Sequence, residues 1–269
     1  MDSYVIIVAG GSGTRMGTDI PKQFLLLNGQ PVIMCAVRAF RRCQYSPQIV
    51  VVLPENLHSY WSALCSEYGF DVPHWVAGGG ASRFQSVKNG LLAIRERKPD
   101  LSDTLIAVHD AARPLVSPDI IDATFAEAAR TGTAALAIPS SDSVRIESSN
   151  TLKNNGFPRH RVYLMQTPQT FQGSILWTSY QQEEDPAFTD DASVVEKKGY
   201  PISLVTGDTR NIKITFPEDL RIAAILSDAC LRSTPDDAQQ NSNNGDYQQN
   251  VNDPARVIPT KIADRPDNN

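Results

Sequence analysis

Apolar runs of strand length alternate with helix-period stretches from the beginning of the chain. Residues 4–9, 49–53, 72–77, 104–108 and 134–139 are short, mainly apolar runs, several of them rich in Val and Ile, and they read as strands. Between them, residues 32–42, 57–68, 82–97 and 117–132 carry helical patterns. Continuously apolar strands separated by helices predict parallel strands buried on both faces, an α/β, doubly wound, mostly parallel Rossmann-like sheet.

The alternation breaks across residues 140–168, where Ser, Asn, Gly and Pro interrupt short alternating runs such as Val144-Arg-Ile and Arg161-Val-Tyr-Leu-Met. That pattern suits an extended β-arm or hairpin that leaves the main sheet. The alternation resumes with helices over 173–184 and 190–198, strands over 203–206 and 211–214, and a last helix opening at Pro217. Glu218 and Asp219 behind that proline suit the positive end of a helix. Residues 232–269 are dominated by Asn, Gln, Asp and Pro and cannot bury enough apolar surface to offset their ordering entropy. The chain is therefore expected to hold one domain over residues 1–231, with an arm at 140–168 and a disordered polar tail at 232–269.

Composition changes this picture little. A hydrophobic content of 41% supplies a sizeable core, and a formal net charge of −5 gives no reason to expect a nucleic-acid partner. No stretch approaches the roughly 20 apolar residues that span a bilayer. The opening Met1-Asp2-Ser3 carries no basic stretch, so a membrane or secretory destination is not expected and the cytoplasm is. Cys35, Cys43, Cys65 and Cys230 lack C-x-x-C spacing and read as core or surface thiols.

The strongest chemical signal follows the first strand, in the run from Ala9 to Gly17 and then Pro21-Lys22-Gln23. A glycine-dense turn at the carboxyl end of a parallel strand lets backbone N–H groups approach an anion, so it reads as a phosphate site. Two familiar loops fail. From Gly11 and Gly13 the third glycine of a dinucleotide fingerprint would fall on Met16, and Gly17 is followed by Thr18-Asp19 where a Walker loop needs Lys.

The pattern Gly-Gly-x-Gly-Thr-Arg-Met-Gly followed by Pro-Lys-Gln-Phe resembles the signature of sugar-nucleotide pyrophosphorylases and their cytidylyltransferase relatives. Gly78-Gly-Gly-Ala-Ser-Arg-Phe-Gln-Ser-Val, Val108-His-Asp-Ala-Ala-Arg-Pro114, Thr189-Asp-Asp-Ala-Ser193 and Asn211-Ile-Lys213 narrow the likeness. Together they resemble the 2-C-methyl-D-erythritol 4-phosphate cytidylyltransferase family, in order across residues 4–230. The resemblance implies a fold of the nucleotidyltransferase type and transfer of a cytidylyl group from CTP to that polyol phosphate, with Mg²⁺ carried on the triphosphate.

By the same resemblance, Ala9, Gly10, Gly11, Gly13 and Thr14 cradle the triphosphate, and Arg15 and Lys22 neutralise the phosphoryl group under attack. Nucleotidyl transfer concentrates negative charge at phosphorus, so fixed cations and backbone donors are its main need. Gly80 and Ser86 stand at the positions that read cytosine, while Ala81 stands where many members carry an acid. A plainer reading holds beside this one: Ser82 and Gln85 form a helix capping box. Asp110 and Ala111 sit at the cleft end of a strand. Asp110 is suited to hold ribose or acceptor hydroxyls or to reach Mg²⁺ through water, and Arg113 to contact acceptor phosphate or brace the loop.

His109 is expected to be structural, because the attacking phosphate monoester is largely deprotonated near neutral pH and needs no base. Arg159, Thr189 and Lys213 are implied to grip the acceptor phosphate. Arg159 would do so from a partner's arm, which implies a homodimer. The rival readings are a ribitol 5-phosphate cytidylyltransferase and a non-catalytic nucleotide-binding protein on the same fold.

Overall fold

The computed structural model describes residues 1–11, 20–147 and 154–232, with side chains described as far as residue 227. The tail expected beyond residue 232 lies outside the described residues. By its internal contacts the chain divides into Met1–Ile225 and Leu226–Asn269, and everything below concerns the first unit.

The strands are β1 (Asp2–Val8), the short pair β2 (Leu26–Leu27) and β3 (Gln30–Pro31), β4 (Gln48–Leu53), β5 (Trp75–Gly78), β6 (Thr104–Asp110), β7 (Thr133–Pro139), the arm pair β8 (Val144–Glu147) and β9 (Asn154–Phe157), β10 (Tyr163–Gln172) and β11 (Leu204–Thr206). The helices are α1 (Val32–Arg42), α2 (His58–Glu67), α3 (Arg83–Arg97), α4 (Pro118–Thr131), α5 (Gly173–Ser179), α6 (Asp191–Lys197) and α7 (Pro217–Arg232).

A seven-stranded sheet has the order β11-β7-β10-β6-β1-β4-β5. Strand β10 alone runs antiparallel, between β6 and β7, and the other pairings are parallel. Successive residues of the central strands feed opposite faces. Val5, Ile7, Val51, Leu105 and Ala107 pack with α1, α2 and α4, whereas Tyr4, Ile6, Val50, Ile106 and Val108 pack with α3, α5 and α6. Both faces are thus covered, which is why these strands read as continuous apolar runs. Gly90 lets α3 lie close to the sheet, since a Cβ there would stand 2.7 Å from a methyl of Ile6. A third cluster of Leu27, Val32, Ile214 and Ala223 seats α7 on the β2–β3 pair.

Three expectations need correction. Residues 163–168 do not belong to a detached arm: Tyr163, Leu164 and Met165 pair with Pro139, Ile138 and Ala137, so the sheet takes them up as the start of β10. The arm proper is the β8–β9 hairpin and the turn behind it. Residues 211–214 are not a strand, because they are held by scattered bonds such as Ile214 N–H to the Ala112 carbonyl at 2.8 Å. The helix expected over 173–184 stops at Ser179, where the Tyr180 and Gln181 N–H groups close the last turn. Cys35, Cys43 and Cys65 are free, and burial pushes the Cys43 thiol up to about 11.

Candidate active site

The chain runs from β1 to β4 and β5 on one side, then returns through β6 on the other. The crevice between the carboxyl ends of β1 and β6 is therefore the switch point of the sheet, where such folds bind ligands. A cleft of about 410 Å³ opens there, lined among others by Gly10, Gly11, Lys22, Gly80, Ser86 and Asp110. A second chamber of about 240 Å³ is lined by Arg113, Gln169, Thr189 and Asp190 among others. Arg83, Asp110 and Lys213 line both, so the two chambers share one charged wall.

The larger chamber is built from loop ends. Ala9 donates its N–H to Val52 at 2.9 Å, and its carbonyl accepts from buried Gln23 at 2.7 Å, which fixes the departure of the glycine loop from β1. Lys22 sits in the 3-10 turn Lys22–Phe24 and donates from Nζ to the Ile214 carbonyl at 3.0 Å. Gly13, Thr14 and Arg15 lie outside the described residues. On the facing side, Gly80 N–H donates to Ser86 Oγ at 3.0 Å, and Ser86 Oγ donates to the Ser82 carbonyl at 2.8 Å. Gly80 has no room for a side chain, because a Cβ would fall 2.3 Å from that of Gln85.

The capping box forms only in part. Ser82 accepts the Gln85 N–H at 3.1 Å, but the Gln85 side chain turns one residue further back and accepts the Ala81 N–H at 3.1 Å. Gln85 thus ties down the position at which the family resemblance leads one to expect an acid.

Asp110 is the electrostatic centre of the site. Lys213 Nζ lies 2.8 Å from its Oδ2, Arg83 Nε 3.5 Å from its Oδ1 and Arg113 Nε 3.8 Å from its Oδ2. Burial pushes its carboxyl up, but Arg83, Lys213 and Arg113 outweigh that and hold it well below the usual carboxylate range. Arg113 spends Nη1 and Nη2 on the carbonyls of Asn211 and Met165, at 2.7 and 3.4 Å, so it braces the 211–215 segment against β10 while lining the smaller chamber. Ala111 is buried and donates its N–H to Val8 at 3.0 Å.

His109 is fully enclosed. The Asp110 N–H donates to Thr167 Oγ1 at 3.1 Å, Thr167 Oγ1 faces His109 Nδ1 at 3.2 Å, and His109 Nε2 faces the Arg113 carbonyl at 3.1 Å. This chain of bonds assigns the proton to Nε2 of a neutral ring. Burial pushes its pKa down to about 4, so His109 orders the end of β6 and is turned away from proton transfer.

Thr189 lines the smaller chamber, just ahead of α6. Arg159 lines neither chamber of its own chain. It stands exposed in the turn Arg159–Arg161, with Nη1 donating to the Ser141 carbonyl at 3.1 Å.

Two residues were missed as site members, Arg83 and Asp191. Arg83 grips Asp191 with Nη1 to Oδ1 at 2.9 Å and Nη2 to Oδ2 at 2.6 Å, and Tyr180 donates its hydroxyl to Asp191 Oδ1 at 2.6 Å. The acid and the arginine each stand in plain view within the Thr-Asp-Asp and Gly-Gly-x-x-Arg runs. Only the fold shows that they meet.

A glycine-rich turn after β1 at the switch point of the sheet, with cations converging on a shared wall, suits an enzyme of the nucleotidyl-transferring class. Comparisons agree: the model of the IspD family, 2-C-methyl-D-erythritol 4-phosphate cytidylyltransferase, matches residues 3–228. The chain belongs to that family. Among similar proteins, the 2-C-methyl-D-erythritol 4-phosphate cytidylyltransferase of Phocaeicola vulgatus is 46% identical over 229 residues, covering 84% of this chain and all of the relative. That of Porphyromonas gingivalis is 45% identical over 224 residues, covering 83% and 96%. The crystal structure of the Francisella tularensis enzyme superposes with a TM-score of 0.67 at 30% identity, over 84% of this chain and 100% of that one.

Proposed function

We infer that the two chambers are the nucleotide and acceptor halves of one transferase site. The reaction is that of the family: a cytidylyl group passes from CTP to 2-C-methyl-D-erythritol 4-phosphate, giving 4-diphosphocytidyl-2-C-methyl-D-erythritol and pyrophosphate, a step of non-mevalonate isoprenoid precursor synthesis. The observation that supports this reading is the wall of Arg83, Asp110 and Lys213 common to both chambers, across which a nucleotide and an acceptor would lie side by side.

In this reading the Ala9–Gly17 loop wraps the triphosphate, and Gly80 with Ser86 selects cytosine. An acceptor phosphate oxygen attacks the α-phosphorus in line, the bond to the bridging oxygen breaks, and pyrophosphate leaves with the electron pair. Lys22 and Arg15 meet the charge that grows at phosphorus. Lys213, Thr189 and Arg113 face the acceptor, and Arg159 reaches it from a partner's arm in a homodimer.

A magnesium ion fits here only as one held chiefly by the triphosphate. Among the described residues no group of three or more His, Cys, Asp or Glu can hold a metal, and the Asp110 carboxylate is already faced by three cations. When bound, the ion would neutralise phosphate charge. We place the enzyme in the cytoplasm; no helix among the described residues is long and apolar enough to cross a membrane. The test is pyrophosphate release with each of the four NTPs against 2-C-methyl-D-erythritol 4-phosphate and ribitol 5-phosphate. CTP with the first acceptor should win clearly, and a preference for ribitol 5-phosphate would overturn the acceptor assignment.

A further inference from the structure

In-line attack requires the acceptor phosphate and the α-phosphorus to be held at a fixed separation, with reacting atoms about 3–3.5 Å apart. The two substrates are bound by different parts of the fold. The loop before α3 walls the nucleotide chamber, while Thr189 and Asp190 before α6 wall the acceptor chamber. Arg83 joins them by charge. Arg83 is the first residue of α3, and its fork closes on Asp191, the first residue of α6, through two bonds of 2.9 and 2.6 Å.

Asp191 is fully buried and takes a third bond from buried Tyr180, whose ring stacks on Phe84 at 4.7 Å between centroids. These contacts hold the fork in place. Its third nitrogen, Nε, faces Asp110 Oδ1 at 3.5 Å, while Lys213 and Arg113 face Oδ2.

We propose that Arg83 is a positioning residue: clamped by Asp191, it sets the spacing between the nucleotide and acceptor chambers and holds the Asp110 carboxylate between them. The proposal rests on the transferase reading above. A carboxylate with Lys213 on one oxygen and no counterweight on the other would rotate toward the ammonium, and both substrates' contacts on that wall would shift together. Lysine cannot replace the arginine. Its single ammonium cannot bridge both oxygens of Asp191 and still face Asp110, although it keeps the charge.

The experiment uses Arg83→Lys and the neutral pair Arg83→Gln/Asp191→Asn. The second leaves no buried charge unpaired and so protects the fold. Melting temperature, kcat, the KM for each substrate and a crystal structure of the double variant are measured beside wild type. The expected result is a double variant that melts near wild type, yet loses about 10²-fold in kcat/KM for the acceptor, the cost of a misplacement near 1 Å. Arg83→Lys should fall nearly as far. Activity that returns together with the melting temperature would reduce the pair to packing and overturn the proposal.

A wild-type enzyme inactive with CTP and the erythritol phosphate would instead overturn the transferase reading. The crystal structure then decides for Arg83: an Asp110 side chain displaced from its place beside Lys213 supports positioning, and an unmoved one refutes it.

Discussion

Ser86 Oγ accepts the backbone N–H of Gly80 at 3.0 Å while giving its own proton to the Ser82 carbonyl at 2.8 Å. With that proton committed, the hydroxyl offers an incoming base only a lone pair, which suits an exocyclic amino group and not a carbonyl. Ser86→Ala should therefore do two things. It should lower kcat/KM for CTP about tenfold, since losing the hydroxyl also leaves the Gly80 N–H unpaired, at a cost of about 1–3 kcal/mol. It should also narrow the preference for CTP over UTP. Pyrophosphate release with both nucleotides measures each effect, and an unchanged preference would mean that backbone groups alone read the base.

Lys22 and Lys213 divide the charge work. Lys22→Ala should depress kcat by about 10² to 10³, comparable to the loss of one oxyanion-type donor. CTP affinity should suffer less, because the charge that Lys22 meets grows in the transition state. Lys213→Ala should act mainly on the KM of the acceptor, with CTP binding by calorimetry largely preserved. Near-normal turnover in the first variant would remove Lys22 from the mechanism.

Acid sensitivity of the fold should trace to His109. Its folded pKa, about 4, lies below its ordinary value of 6.5, so the unfolded chain takes the proton more readily between those limits. Its contribution is intact above pH 6.5 and shrinks as pH falls toward 4, by roughly 3 kcal/mol in all. Asp110 is silent in that window: its depressed value keeps its contribution intact until pH drops below the ordinary carboxylate value of 3.8. Denaturant melts at several pH values should show a flatter profile for His109→Gln, whose amide can still donate to Arg113 and accept from Thr167. An equally steep profile would place the sensitivity elsewhere.

Arg159 lies away from its own chain's chambers, so its role is testable by complementation. Arg159→Ala and Lys22→Ala chains should each be nearly inactive. Mixed, with subunit exchange shown by tagged chains, they should regain about a quarter of wild-type activity, because random pairing makes about half the dimers mixed and each mixed dimer holds one intact site of two. Mixed dimers without activity would confine Arg159 to its own chain's site, or to none.

What was legible in the sequence followed from periodicity and local chemistry. Residues 32–42 were read as a helix with the bounds α1 shows, because an apolar stripe and clear ends define it locally. The shared wall was harder to see. Arg83 and Asp191 lie 108 residues apart, and nothing local to either indicates the other; only α3 and α6 packing on the same face of the sheet joins them. The 211–214 run reads as a strand, but Ile214 packs in the α7 cluster, while Arg113 and Ala112 hold the backbone without a ladder. Residues 163–168 read with the arm because the polar, turn-rich composition runs from 140 up to Pro158 without a clear end. They instead open a continuous strand, with a register shift between Met165 and Gln169.

The reversed course of β10 has a mechanical meaning. In most sheets of this kind the ligand crevice is ringed by loops, which are the parts most able to change shape. Here Thr167 and Gln169 reach the crevice from inside the sheet, and Gln169 fixes the start of α6 by donating to Asp190 at 2.8 Å and accepting from Ala192 at 2.7 Å. One flank of the smaller chamber is thus built of strand, held between β6 and β7. A stiff mould of this kind asks little ordering entropy of the small molecule that enters it. The 211–215 segment on another flank is held instead by single bonds to Arg113 and Ala112, so the walls of one crevice differ in how firmly the sheet backs them.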